Sequence, residues 1–382
     1  MAIEKAPSAV LLIAFHSFAG MGPYVISIVN SFKPEDNVRF FLIERDDHYY
    51  SRNINEELRH KATIVSSPVP TKIQTLISIL TGFRCKFRKQ IEEICERENI
   101  SMVHDLTGAV DNALVTSITA KRPWLYTVHD LHPHEAKKSF FKEWRQNSRY
   151  KAVFKAIKKS KHLITNSESQ YRDLLNTYPN KRCFKTPFPS LITHSILKGN
   201  ITPPEIIGIE KYILFFGRIE EYKGLSVLLE AFKNLKTDTD IKLVIAGSGQ
   251  IPKYEVDDRI VIINRYIADQ EIATLYSKSL CVVYPYLSAT QSGVLAIATY
   301  FRIPVIASDV SFFKEVLGSK YTGLFQTGNS KDLLEKIQYF ISFSPSMRQE
   351  IENEMDAIYR DNYASQKHRE DLTNIYNRIA LS

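Results

Sequence analysis

YILFFGRIEEYKGLSVLLEAF, residues 212–232, opens as an unbroken apolar run, passes through a charged loop and closes as an amphipathic helix. The run at its start has the length and content of a strand buried on both faces. In SVLLEAFKNL, from Ser226, apolar residues fall at Val227, Leu228, Ala231 and Phe232, the period of a helix. Gly217 and Gly224 bracket the loop, and Arg218 and Lys223 lie inside it. Two cations on one strand-to-helix connection can converge on one anion. Arginine offers a bidentate fork and lysine a point charge, a combination that suits a diphosphate. Glu220 and Glu221 supply the alternative, in which both cations make surface ion pairs.

The same alternation runs through the chain. Strands are predicted at 8–15, 38–44, 62–67, 101–106, 124–130 and 162–167, and again at 212–218, 241–247, 259–266, 280–286 and 304–309. Short apolar runs separated by helical periods predict βαβ units and parallel sheets. Two such series predict an α/β protein of two Rossmann-like, doubly wound domains facing a cleft. They are expected over 1–200 and 205–364, with the break near GNITPPEIIGIEK (199–211), where Gly and Pro interrupt the periodicity. Ligands of such sheets sit beyond the carboxyl ends of the strands.

At 382 residues, 44% hydrophobic and 24% charged, the chain suits a globular protein with a sizeable core. Cys85, Cys95, Cys183 and Cys281 are scattered without metal-ligand spacing, which points to a reducing compartment. The run AVLLIAF (9–15) faintly imitates a leader segment, but a glycine turn and a second apolar segment follow it, so a first strand is expected. Residues 1–200 carry a net charge of +11 and the remainder −3. The excess peaks in KKSFFKEWRQNSRYKAVFKAIKKSKH (137–162), whose one acid is Glu143 and whose cations alternate with Phe140, Phe141, Trp144, Tyr150 and Phe154. A solvated helix face and a peripheral contact with anionic membrane both fit this stretch. No nucleic-acid motif is present, and no nucleic-acid partner is expected.

Two further loops matter. In FHSFAGMGPYV (15–25), Gly20 and Gly22 allow close backbone approach to a phosphate or sugar, or simply a tight turn. Val25 rules out the dinucleotide fingerprint. In YPYLSATQSGVLAIA (284–298), an uncharged turn around Gly293 leads from a strand into a helix. Thr290, Gln291 and Ser292 can hydrogen-bond hydroxyls, and the amides of Ser292, Gly293 and Val294 are placed to meet an anion. A plain N-cap at Ser292 is the alternative.

The ordered set FFGRIEEYKGLSVLLEAF, LVIAGSGQ (243–250), INRYIADQEIATLYSKSLCVVYPYLSATQSGV (263–294), PVIASDVSFFKEVL (304–317) and GLF (323–325) resembles the carboxyl-terminal domain of GT-B glycosyltransferases of glycosyltransferase family 4. AGMG, YTVHD and HLITNSES are similar to the first domain in position and kind. The resemblance implies transfer of a sugar from a nucleotide-sugar, which is a substrate and not a cofactor, with retention and without a metal ion. It implies that Arg218 and Lys223 hold the donor diphosphate and that His129 meets the donor sugar. It places Gly247, Gly249, Tyr266 and Ile267 around the base and Glu315 near the donor, at a helix start. It also implies that the helix 365–382 returns to the first domain. His104 and Asp105 would lie on the acceptor side. His132 and His134 stand near His129 in HDLHPH, but no second cluster of acids or cysteines accompanies them, and no metal site is expected.

The chain departs from the family at two positions. Counted from Gly293, the two usual glutamates are Thr290 and Ala298. Without them, sugar and ribose positioning changes, while a departing phosphate oxygen can still take the acceptor proton. The expectation is an active, donor-shifted enzyme of cell-surface polysaccharide or glycolipid synthesis. Its acceptor would be a glycan or lipid-linked, and it would be cytoplasmic at the inner membrane face. A non-catalytic nucleotide-sugar-binding or partner-stabilising homologue and an epimerase of the same fold are the alternatives.

Overall fold

The predicted apolar runs are strands, and every pair of them is parallel. The computed structural model describes residues 9–17, 20–68, 71–81, 86–108, 111–129, 131, 140–237, 240–289 and 291–381, with the backbone alone for 112, 140–146 and 149. Thr290, His132, His134, Cys85 and the first residues of the basic stretch therefore lie outside the described residues.

The chain divides into two units, Met1–Pro187 with Ser365–Ser382, and Phe188–Ala364. In the first, β1 (Ala9–Ala14), β2 (Val38–Glu44), β3 (Ala62–Ser66), β4 (Ile100–Asp105), β5 (Trp124–Thr127), β6 (His162–Thr165) and β7 (Arg182–Lys185) lie in the order β3-β2-β1-β4-β5-β6-β7. In the second, β8 (Tyr212–Phe216), β9 (Lys242–Ala246), β10 (Ile260–Ile263), β11 (Ser279–Tyr284), β12 (Val305–Ser308) and β13 (Leu324–Phe325) lie in the order β10-β9-β8-β11-β12-β13. Each order reverses once, between β1 and β4 and between β8 and β11. These are the points at which the loops leaving two neighbouring strands part to opposite faces and open a crevice.

Burial explains the strand content. The run at Ala9–Ala14 is buried at every residue, so it is a central strand and not a leader. The central strands β1, β8 and β11 carry long apolar side chains on both faces, because helices cover both. β7 was not predicted: in RCFK only Phe184 is buried, and Arg182 and Lys185 are exposed. Its charged edge discourages pairing with another chain.

Residues 188–200, predicted for the first domain, pack with the second unit. Gly199 lies against the backbone of Gln270, Ile201 donates to the Gln270 carbonyl, and Thr193 Oγ1 meets Asp269. The helix Ser365–Ala380 belongs to the first unit, where Tyr376 Oη lies 2.7 Å from His104 Nδ1.

Candidate functional site

The loops after β8 and β11 meet at the switch point of the second unit. β8 ends at Phe216, and the chain turns through Gly217 (φ +125°) and a short 3-10 turn over Glu221–Lys223 to Gly224 (φ +64°). Leu287 N donates to the Tyr222 carbonyl at 2.7 Å, and a Cβ on Gly224 would stand 1.9 Å from the Pro285 carbonyl oxygen. Backbone thus presses on backbone between the two loops. Gly224→Ala is expected to cost about 2–4 kcal/mol, from left-handed strain plus overpacking. Gly20→Ala, where no atom lies within 4 Å, is expected to cost less than about 1 kcal/mol. Denaturant midpoints of the two variants check this, and equal losses would contradict it.

Lys223 is 8% exposed, and its Nζ lies 5.0 Å above the Tyr286 ring. A Cβ on Gly217 would come within 2.8 Å of that Nζ and 3.8 Å of Val294 Cγ1, so glycine leaves the room the ammonium occupies. Among the described residues no carboxylate lies within ion-pairing distance of it. Arg218 differs: its side chain is 63% exposed and its Nη2 lies 3.3 Å from Glu220 Oε1. The surface ion pair therefore describes Arg218 and not Lys223. A buried ammonium facing only an aromatic ring is an expensive group.

The helix Gly293–Tyr300 begins beside this ammonium, as the 3.8 Å approach of Val294 to the Gly217 Cβ position shows. Ser292 occupies the N-cap position, but its hydroxyl makes no capping hydrogen bond. Tyr284 Oη donates to the Val294 carbonyl at 2.9 Å and ties the helix start to β11. Gly293 does not have a positive φ; its constraint is packing, since a Cβ there would lie 2.2 Å from Leu191 Cδ1. Gln291 is half-buried, and Ala298 is fully buried within the helix.

The base-side loops carry glycines for the same kind of reason. Cβ atoms on Gly247 and Gly249 would lie 2.0 and 2.1 Å from the carbonyl oxygens of Gly217 and Ile219. These glycines let the β9 loop close on the β8 loop. Tyr266 is 68% exposed and Ile267 is buried. Glu315 is not at a helix start: its helix is Ser311–Leu317, so it sits in the second turn, exposed, beyond the reach of a first-turn dipole effect.

In the first unit, Thr107 Oγ1 accepts from Phe15 N at 2.8 Å and joins the loops after β1 and β4. Gly22 lies inside the helix Met21–Val29, where a Cβ would meet Tyr49 Cδ1 at 2.8 Å; Gly20 stands just before that helix. His129 Nε2 donates to the Leu106 carbonyl at 2.8 Å. Its ring packs edge-on to Tyr24 at 5.0 Å. His104 and Asp105 are both buried: Asp105 accepts from Thr107 N and Gly108 N, and His104 lies between Tyr376 and Thr127.

Two tyrosines of this region went unread in the sequence. Tyr286 floors Lys223 and Tyr284 anchors the helix start. Their signal was the pair of tyrosines closing CVVYPYL, which passes for ordinary strand content.

A switch-point site between two Rossmann-like loops, repeated in two parallel-sheet units, defines the GT-B class of fold. Solved structures agree. Sucrose-phosphate synthase from Thermosynechococcus elongatus matches with a TM-score of 0.69 at 14% identity, over 98% of this chain and 100% of that one. Anabaena HepE in complex with UDP-glucose matches with a TM-score of 0.67 at 14% identity, over 97% and 99%. Residues 202–356, within the second unit, match the family Glycosyl transferases group 1.

Curated relatives are partial. An uncharacterized glycosyltransferase of Methanocaldococcus jannaschii is 28% identical over 30% of this chain and 32% of its own length. A GDP-mannose:glycolipid 4-beta-D-mannosyltransferase of Xanthomonas campestris is 25% identical over 48% of this chain and 50% of its own. The chain thus spans half or less of the length of these relatives. Among the described residues no helix is long and apolar enough to cross a membrane, and no group of three His, Cys, Asp or Glu is placed to hold a metal ion.

Proposed function

We propose that this protein transfers a sugar from a nucleotide-sugar to a glycan or lipid-linked acceptor, with retention at the anomeric carbon and without a metal ion. The observation that carries the reading is Lys223, a buried ammonium with no carboxylate partner among the described residues, at the switch point and beside a helix start. A donor diphosphate would supply the missing anion. The acceptor oxygen bonds to the anomeric carbon, the bond to the diphosphate breaks, and a departing phosphate oxygen takes the acceptor proton. Lys223, with Arg218 released from Glu220 and the amides of Ser292, Gly293 and Val294, would stabilise the charge on the leaving group. His129 would hydrogen-bond the donor sugar. Gln291 and Thr290 would position sugar hydroxyls in place of the usual carboxylate, and Tyr266, Ile267, Gly247 and Gly249 would border the base.

The Xanthomonas relative, named for GDP-mannose and a glycolipid, and the HepE complex with UDP-glucose support a nucleotide-sugar donor and a glycolipid acceptor. Cell-surface polysaccharide or glycolipid synthesis at the cytoplasmic membrane face follows from that acceptor class. Contact with anionic membrane through 137–162 belongs to the same reading. The buried Ala298 favours a second one, in which the chain binds the donor without turning it over.

Titration with UDP, GDP and ADP, and then with their sugars, tests the site by thermal stabilisation. A ligand at about 100 times its Kd adds about 2.7 kcal/mol. The expected result is a response to one base, lost in Arg218→Ala and Lys223→Ala. No response to any nucleotide overturns both readings, and donor binding without transfer to any acceptor selects the second.

A further inference from the structure

The nine-residue helix Lys72–Leu80, KIQTLISIL, is folded with its polarity reversed. A helix on a globular surface turns its apolar stripe to the core and its polar side to water. Here Ile73, Leu76, Ile77 and Leu80 follow the i, i+3, i+4, i+7 pattern of one face and are 71%, 39%, 53% and 74% exposed. Thr75, Ser78 and Ile79, from the opposite side, are the half-buried ones, and no residue of the helix is buried. Nine residues form a marginal helix in isolation. This one is held by a capping box, Thr71 Oγ1 accepting from Gln74 N and Gln74 Oε1 from Thr71 N. The chain thus keeps formed a helix whose apolar face has nothing of its own to cover.

The neighbouring surface states what covers it. The helix Phe140–Lys159 packs beside it in the same unit. That helix exposes Lys151, Lys155 and Lys158, with Phe154 among them at 37% exposure. None of these three lysines makes an ion pair among the described residues. Lys72 is exposed at the start of the apolar helix. An apolar stripe bordered by unpaired cations complements a surface that is apolar beneath and anionic above.

We infer that Lys72–Leu80 inserts in-plane into the interface of an anionic lipid bilayer, with Lys72, Lys151, Lys155 and Lys158 meeting the headgroups. At 1.5 Å per residue the helix is about 14 Å long, far short of the ~30 Å hydrocarbon core, so it lies in the surface and does not cross it. The inference rests on the lipid-linked acceptor reading above and deepens it. The earlier reading assigned membrane contact to cations and aromatics of 137–162 alone, whereas the structure assigns the apolar anchorage to a segment outside that stretch. Headgroup attraction contributes about fivefold per lysine near the surface, and the apolar side chains add their transfer energy.

The test is sedimentation of the full chain with vesicles of phosphatidylcholine alone and of phosphatidylcholine with phosphatidylglycerol. Thermal stabilisation by nucleotide is measured on the same preparations. Binding to the anionic vesicles is expected, weakened by salt. Ile73→Ser/Ile77→Ser/Leu80→Ser is expected to lower it roughly tenfold or more, and Lys151→Gln/Lys155→Gln/Lys158→Gln to remove its dependence on anionic lipid. All six side chains are exposed, so nucleotide stabilisation should persist in both variants. Amide exchange in 72–80 should slow when anionic vesicles are added. Vesicle binding unchanged in the apolar variant, or absent in the parent chain, overturns the inference. A parent dimer that the apolar variant converts to monomer without vesicle binding also overturns it and assigns the stripe to a second copy. Loss of vesicle binding with nucleotide stabilisation intact separates this failure from failure of the donor site.

Discussion

Lys223→Met is expected to lower kcat/KM by about a thousandfold, near 4 kcal/mol of transition-state stabilisation, and to make the ligand-free protein more stable. The two effects have one cause. In the free protein the ammonium is buried against the Tyr286 ring and meets no carboxylate among the described residues. Attraction to the ring recovers roughly 2 kcal/mol at a desolvated site, less than the several kcal/mol needed to bury an ion. Methionine keeps most of the volume, removes the charge and favours contact with an aromatic ring. Stability without nucleotide should therefore rise by about 1–2 kcal/mol. Denaturation curves with and without the responding nucleoside diphosphate read both effects. A methionine variant that is less stable and still responds to nucleotide would show that Lys223 is a structural cation. Arg218→Ala provides the contrast: its guanidinium is exposed and paired with Glu220, so its loss should remove the donor response with little change in stability.

The second large effect is a loss of stability in mild acid. His104 and His368 are both buried in the first unit. Desolvation holds His104 down at about 3, with smaller contributions from His368 and His129. Desolvation likewise holds His368 down at about 4, opposed by a backbone hydrogen bond to the Pro187 carbonyl. In the unfolded chain both titrate near 6.5. The folded state therefore binds fewer protons than the unfolded one below that pH. Stability is complete above about pH 6.5 and falls as pH drops through the window toward 4. Each histidine contributes about 1.4 kcal/mol per pH unit, close to 3 kcal/mol per unit for the pair. Urea midpoints at pH 7.5, 6 and 5 measure this above the range in which most carboxylates titrate. His162 is likewise held down at about 4 by desolvation and adds a similar slope, so His104→Gln should remove about a third of the total. Midpoints that do not move between pH 7.5 and 5 would show that the two rings accept protons in the folded state.

The sheets were legible in the sequence because burial on both faces is written locally. A strand such as Ala9–Ala14 or Tyr212–Phe216 is apolar at each residue, and the helix after Gly224 shows its own period. The loops that leave β8 and β11 could be located for the same reason, and with them Arg218, Lys223 and the stretch around Gly293. β7 escaped because an edge strand needs only one buried residue, Phe184, and an isolated phenylalanine carries no period. Glu315 was misplaced because a helix start depends on where the chain leaves the preceding strand, and that point lies at Val310.

What the sequence by itself determined is the succession of strands and helices, and hence the loops available to a ligand, since local periodicity and turn residues specify these. The tertiary structure alone decided what each loop residue does. Arg218 and Lys223 look interchangeable in the chain, yet one pairs with Glu220 and the other lies buried on Tyr286, 63 positions further on. Gly224 and Gly293 look like turn glycines. The first also makes room for the Pro285 carbonyl, and the second makes room for Leu191. The apolar face of Lys72–Leu80 is turned to solvent, which its spacing alone does not show. Each of these depends on a partner, or on the lack of one, brought close by strand order, and contacts between distant segments leave no local period to read.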